Sequence, residues 1–128
     1  MSSTSNAIRI LAVDDHPMFR EALAALLSSQ PDMNLIAEAA NGREAIQQFR
    51  AHQPDITLMD LQMPGMNGLD AMAAIRQEFP DARIIILTTY ASDVQNAMNG
   101  GARAYLLKTH LDKELLGTIR TVHAGNRG

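Results

Sequence analysis

Five side chains able to hold charge or transfer a group stand at matching places in this chain. Asp14 and Asp15 close the run "ILAVDD", Asp60 closes "DITLMD", Thr88 closes "RIIILT", and Lys108 follows "AYLL". Carboxylates a few ångströms apart repel by roughly 3–4 kcal/mol per pair at an effective dielectric near 20. Either one of them is protonated, or a hard divalent cation such as Mg²⁺, which prefers carboxylate and carbonyl oxygen, sits among them. With Lys108 added, such a cup can hold a dianionic phosphoryl group between metal and ammonium. The Asp60 carboxylate then becomes a candidate nucleophile, attacking phosphorus to give an acyl phosphate. Taken singly, each residue has a plainer use: Asp is a favoured helix cap, Thr88 an ordinary strand end, and Lys108 a solvated cation. Only their conjunction on one edge carries the chemistry.

Whether they meet depends on the elements that carry them. Short β-rich runs at 8–13, 34–39, 55–60, 83–88 and 104–107 read as strands, and helical patterns separate them. Pro17 suits the start of the first helix, whose Phe19, Leu23, Leu26 and Leu27 share a face. In "NGREAIQQFRAH", Ala45, Ile46 and Phe49 fall together. Further helices are expected over about 67–78, 92–99 and 111–124, with Gly100, Gly101 and Gly125 as stop signals. Strands alternating with helices predict an α/β fold with a doubly wound parallel sheet covered on both faces, because parallel strands need right-handed crossovers. "IIIL" at 84–87 agrees, since a strand buried on both sides need not alternate. In an open sheet of this kind ligands sit at the carboxyl ends of the strands. That is where all five residues lie.

At 128 residues, 46% hydrophobic and 20% charged, the chain is the size of one domain with one core. Its 11 basic and 14 acidic side chains give a net charge of −3, and no run of Lys or Arg forms a footprint for phosphate-backbone binding. This piece alone is expected to bind nucleic acid poorly. The absence of Cys excludes disulfides, thiolate metal sites and thiol catalysis, and suits a reducing compartment. No apolar run approaches a membrane span, and "MSSTSNA" lacks the regions of a signal peptide, so a cytoplasmic location without membrane contact is expected.

The segments "VDDHP", "MDLQMPGMNGLD", "ILTTY" and "YLLKT", in this order on alternating strands, resemble the receiver domain of two-component response regulators. "DDHPMFREALAALL" and "LLKT" further resemble the NarL/FixJ (LuxR-type) subfamily. The resemblance implies a flavodoxin-like (CheY-like) five-stranded sheet of order 2-1-3-4-5. It covers about residues 7–125, with a disordered 1–6 before it and the start of a linker at 126–128. It implies that Asp60 accepts a phosphoryl group from a phosphohistidine of a sensor histidine kinase. Asp15 and Asp60 would ligate Mg²⁺ together with the backbone carbonyl of Gln62, and Asp14 would act mainly through a water. Thr88 would donate its hydroxyl to a phosphoryl oxygen and Lys108 would pair with another. Tyr105 would be an aromatic switch turning inward as Thr88 moves. The implied output is dimerisation on phosphorylation, or docking of a DNA-binding domain carried by a longer parent and controlling transcription. A stand-alone receiver signalling by protein contact is the alternative. On this reading the domain signals, catalysing only its own phosphotransfer and dephosphorylation.

Gln62 is also a candidate for orienting an attacking water. His16 follows the acids and could pass for a metal ligand, but it reads as a loop or capping residue, because Mg²⁺ prefers oxygen. Met59, Met63, Met66 and Met72 read as packing. Only 20 positions separate Thr88 from Lys108, about two fewer than the family leads one to expect, so the fourth helix is expected to be short or irregular. Two rivals fit less well. A phosphatase of the haloacid dehalogenase type needs an Asp where Gln62 stands, and a flavin mononucleotide carrier would find its phosphate repelled by Asp14 and Asp15.

Overall fold

Every strand of the chain runs parallel to its neighbours, and each crossover carries a helix. The computed structural model describes residues 7–125. In chain order the elements are β1 (Ile8–Val13), α1 (Pro17–Ser28), β2 (Met33–Ala39), α2 (Gly42–His52), β3 (Ile56–Asp60), α3 (Gly68–Glu78), β4 (Ile84–Thr88), α4 (Val94–Asn99), β5 (Ala104–Leu107) and α5 (Leu111–His123). The sheet order is β2-β1-β3-β4-β5, as the resemblance implied. The segments 1–6 and 126–128, expected to be a disordered start and a linker, lie outside the described residues.

Register is what positions the site. Val13 lies opposite Met59, so the residues following β1 emerge level with Asp60 at the end of β3. Asp60 pairs with Leu87 and Thr88 with Leu107, which sets Lys108 one step beyond the last pair. The central strands β3 and β4 are buried along their whole length, the edge strands β2 and β5 only in part. That pattern explains why "IIIL" shows no alternation.

Residues of the central strands are divided between two cores, one on each face of the sheet. On one face Ile10, Leu58 and Leu87 meet Leu23 and Leu27 of α1 and Leu115 and Ile119 of α5. On the other, Leu11, Met59 and Ile86 meet Phe49 of α2, Met72 and Ile75 of α3 and Ala97 of α4. Met59, Met63 and Met72 are buried and Met66 packs against them, so the methionines fill core as expected. The helix starts are capped from the sequence: Asn41 accepts the Glu44 N–H, and Asn67 accepts the Asp70 N–H. Pro17 opens α1, where a missing N–H costs nothing.

The fourth helix is short and irregular, as its length in sequence led us to expect. A single 3₁₀ turn, Ala91–Asp93, leads into α4, which has only 6 residues. Its end is sealed by Gly101 at φ 104°, a left-handed conformation that favours glycine. A Cβ there would also sit 2.2 Å from Nη1 of Arg76, whose guanidinium donates to the Gly100 carbonyl at 3.3 Å. No helix among the described residues is long and apolar enough to cross a membrane.

Candidate functional site

The turn after β1 places two aspartates in different surroundings. Asp14 is fully buried, and its Oδ1 accepts the His16 backbone N–H at 2.8 Å while Oδ2 accepts from Lys108 Nζ at 2.7 Å. Asp15 keeps 25% of its side chain exposed, and its Oδ1 is buried without a hydrogen-bond partner. At the end of β3, Asp60 is 1% exposed. Its Oδ1 accepts the Gln62 N–H at 3.3 Å and lies 3.3 Å from Lys108 Nζ, whereas Oδ2 has no partner. One ligand atom from each of Asp14, Asp15, His16 and Asp60 falls within 4.8 Å of the others. The three acids and Lys108 therefore converge, although 94 positions separate Asp14 from Lys108.

One ammonium serves two buried carboxylates here. Lys108 Nζ lies 4.5 Å from the centre of the Phe19 ring, so the ammonium is held over the ring face while it reaches the acids. Burial pushes the Asp60 carboxyl above its ordinary range; Lys108 pulls it back, and Asp14 pushes it up again. The site thus sets one ammonium against three carboxylates and leaves two carboxylate oxygens, Asp15 Oδ1 and Asp60 Oδ2, without a donor. A hard divalent cation supplies both wants, so the residues present fit Mg²⁺.

The remaining candidates stand on β4, on β5 and in the loop after β3. Thr88 is fully buried at the end of β4, with Oγ1 accepting the Tyr90 N–H at 3.1 Å and donating to the Tyr90 carbonyl at 3.3 Å. Its hydroxyl is therefore spent within its own turn. Tyr105, on β5, is 43% exposed. The exposed Gln62 side chain donates to Asp93 Oδ2 at 3.1 Å, tying the loop after β3 to the 3₁₀ turn before α4.

Sequence reasoning missed two contributors, Arg20 and Gly68, and left the contacts of His16 open. Arg20 donates from Nη1 to the Asp14 carbonyl and from Nε to Glu38 at 3.1 Å, bracing the turn that carries both acids. A basic residue close to a helix start, where the macrodipole disfavours it, was the available signal. Gly68 opens α3 against the backbone of the third acid: a Cβ there would lie 2.3 Å from the Asp60 carbonyl oxygen. His16 stands at the cap position of α1, yet its side chain caps nothing. Its Nδ1 turns instead to Asp14 Oδ1, 2.9 Å away, and Asp15 Oδ1, 3.1 Å away.

Comparison with known proteins gives this arrangement a context. Residues 10–120 match the profile of the response regulator receiver domain. The transcriptional regulatory protein LiaR of Bacillus subtilis is 42% identical over 120 residues, which are 92% of this chain and 57% of LiaR. The nitrate/nitrite response regulator protein NarL of Escherichia coli is 37% identical over 125 residues, 96% of this chain and 58% of NarL. The crystal structure of a LuxR-family two-component response regulator from Aurantimonas superposes with a TM-score of 0.91 at 38% identity, covering 94% of this chain and 88% of that one. The chain spans little more than half the length of the two curated relatives.

Proposed function

Since the chain belongs to the response regulator receiver family, and within it to the LuxR/NarL type, we propose that Asp60 is its phosphoacceptor and that a sensor histidine kinase is the donor. The observation that carries this reading is the state of Asp60. It is a buried carboxylate with one oxygen held by Lys108 and the Gln62 N–H and the other bare. An oxygen of Asp60 forms the new bond to phosphorus while the P–N bond to the donor imidazole breaks, and the imidazole nitrogen keeps the electron pair.

Lys108 supplies the fixed positive charge for the phosphoryl oxygens, and its seat on Phe19 holds it there before the reaction begins. Asp14 and Asp60 share that ammonium, so Lys108 can follow the phosphoryl group while keeping Asp14 as its anchor. Asp15, Asp60 and the Gln62 carbonyl would hold Mg²⁺, with Asp14 acting through a water. When bound, the ion adds the charge that offsets clustered carboxylates and phosphoryl oxygens.

The signal leaves through Thr88. A phosphoryl group adds about −1.5 to −2 charges and strong acceptor oxygens at one point. That acceptor competes with the Tyr90 carbonyl for the Thr88 hydroxyl. A shift of Thr88 disturbs the turn that carries Tyr90, and Tyr105 on the adjoining β5 is the aromatic that follows it inward. Gln62 bears on the lifetime of the acyl phosphate through its place beside Asp60. The repacked face alters dimerisation, or the docking of an output domain through which the full-length protein controls transcription in the cytoplasm. A group of this kind shifts a two-state equilibrium only by its differential interaction with the states.

The test is phosphotransfer from a competent donor with and without Mg²⁺, with mass spectrometry locating the added group. Wild type gains one phosphoryl group at Asp60 and Asp60→Asn gains none. Label on Asp60→Asn, or label mapped elsewhere in wild type, overturns the proposal.

A further inference from the structure

We propose that Asp93 is a positioning residue which, by holding the Gln62 side chain, latches the loop after β3 to the entry of α4 and keeps the domain in its resting packing. The inference rests on Asp60 being the phosphoacceptor, and adds to that reading a restraint which the group on Asp60 must overcome.

The first ground is a continuous line of hydrogen bonds between the acceptor and Thr88. Gln62 donates its backbone N–H to Asp60 Oδ1 at 3.3 Å and its Nε2 to Asp93 Oδ2 at 3.1 Å. Asp93 in turn donates its backbone N–H at 3.1 Å to the Tyr90 carbonyl, the same oxygen that accepts the Thr88 hydroxyl at 3.3 Å. When Thr88 leaves that carbonyl, the Asp93 N–H still satisfies it, so the departure orphans nothing. The Tyr90 N–H holds Thr88 Oγ1 at 3.1 Å, however, and a moving Thr88 takes the turn with it. The pull then falls on the link between Asp93 and Gln62.

The second ground is that the two ends of this link are held unequally. Gln62 stands between Leu61 and Met63, both buried, and the Leu61 N–H donates to the Leu87 carbonyl at 3.3 Å. Its backbone is therefore fixed to the sheet. Of the 6 residues of α4 only Ala97 is buried, so apolar contact holds this helix weakly and one hydrogen bond at its entry counts for much. Opening the latch moves α4, not the loop after β3.

The third ground is a cap that is not made. Asp93 stands at the cap position of α4, and Asp is a favoured cap, yet its side chain makes no capping bond. Asn41 and Asn67 at the corresponding places of α2 and α3 do cap their helices. The Asp93 carboxylate is spent on Gln62 instead. Once released it can turn to the first N–H groups of α4, and that gain offsets the lost latch. Two packings so balanced are ones that a single added group can exchange.

The experiment is a titration with beryllofluoride, a stand-in for the phosphoryl group, in saturating Mg²⁺. The chain has two Tyr and no Trp, so tyrosine emission reports from Tyr90 and Tyr105 alone. Gln62→Ala is measured in wild type, in Asp93→Ala and in Asp93→Asn, with far-UV circular dichroism confirming that each protein is folded. In the wild-type background Gln62→Ala should bind about threefold to tenfold more tightly, because a broken link raises the share of the binding-competent packing. In Asp93→Ala the same substitution should change affinity by less than about twofold. In Asp93→Asn, which keeps an acceptor for the Gln62 amide, the gain should return. No gain in the wild-type background, an equal gain in Asp93→Ala, or none in Asp93→Asn overturns the latch and leaves Asp60 as the acceptor. If wild type shows no change in emission, or Asp60→Asn shows the same change as wild type, the reading of Asp60 fails and the inference goes with it.

Discussion

Replacing Asp60 by Asn removes the reactive group, yet the structure indicates that it stabilises the metal-free protein at neutral pH. Asp60 Oδ2 is buried without a partner, and Asp14 and Asp60 share the single ammonium of Lys108 at 2.7 Å and 3.3 Å. At an effective dielectric near 20, the Lys108–Asp60 attraction is roughly 5 kcal/mol, and the repulsion of two carboxylates at about 4 Å is roughly 4 kcal/mol. The two nearly cancel. What remains is the desolvation of Asp60, which is why its carboxyl is pushed upward by burial first. A buried charge short of partners costs more than a neutral amide in the same place, so Asp60→Asn should gain about 1–3 kcal/mol, or roughly 3–10 °C in midpoint for a domain of this size.

The pH dependence follows from the same direction. With its folded pKa above the unfolded one, Asp60 contributes stability that is fully present below the unfolded value, about pH 4, and is lost as pH rises through the folded value. Wild type and Asp60→Asn should therefore match in acid and diverge toward neutrality, with the variant the more stable. Saturating Mg²⁺ should close the gap by stabilising wild type alone. Urea unfolding followed by circular dichroism, in chelator and in Mg²⁺ across that pH range, measures this. A variant less stable than wild type at neutral pH in chelator, or a gap that does not change with pH, would refute the reasoning.

Lys108→Met leaves Asp14 fully buried opposite an apolar side chain, and should cost roughly 3 kcal/mol in urea unfolding at neutral pH. Arg20→Gln removes the brace on the Asp14 carbonyl, and calorimetry should show Mg²⁺ affinity reduced by about tenfold. Unchanged affinity would mean that the turn after β1 holds itself. Gly68→Ala drives a Cβ into the Asp60 carbonyl oxygen, and should lower both phosphoryl uptake and stability, the latter by about 1–3 kcal/mol in thermal unfolding.

The elements themselves were legible because their signals are local. "IRILAV" and "IIIL" are β-branched runs, Pro17 suits a helix start by residue type, and the shortened stretch between Thr88 and Lys108 announced the small fourth helix. The convergence of Asp14, Asp15, Asp60, Thr88 and Lys108 was also legible, since parallel strands carry their ends to one edge. Partner choice was not legible. Nothing near Arg20 in the chain names Glu38 or the Asp14 carbonyl, and nothing near Gln62 names Asp93. Nor does anything in the chain order say that the ring of His16, at the cap position of α1, turns to the acids.

What the amino-acid order determined by itself was which groups stand at the strand ends and hence what chemistry they can share, because strand formation and helix capping depend on residues a few positions apart. Only the tertiary structure decided how one ammonium is divided between Asp14 and Asp60, which oxygens stay bare, and where His16 points. Those outcomes depend on burial and on distances between side chains remote in the chain, set by the register of β1 against β3 and of β4 against β5. Coulomb and desolvation energies at such distances change by kilocalories over an ångström, and no local pattern encodes them.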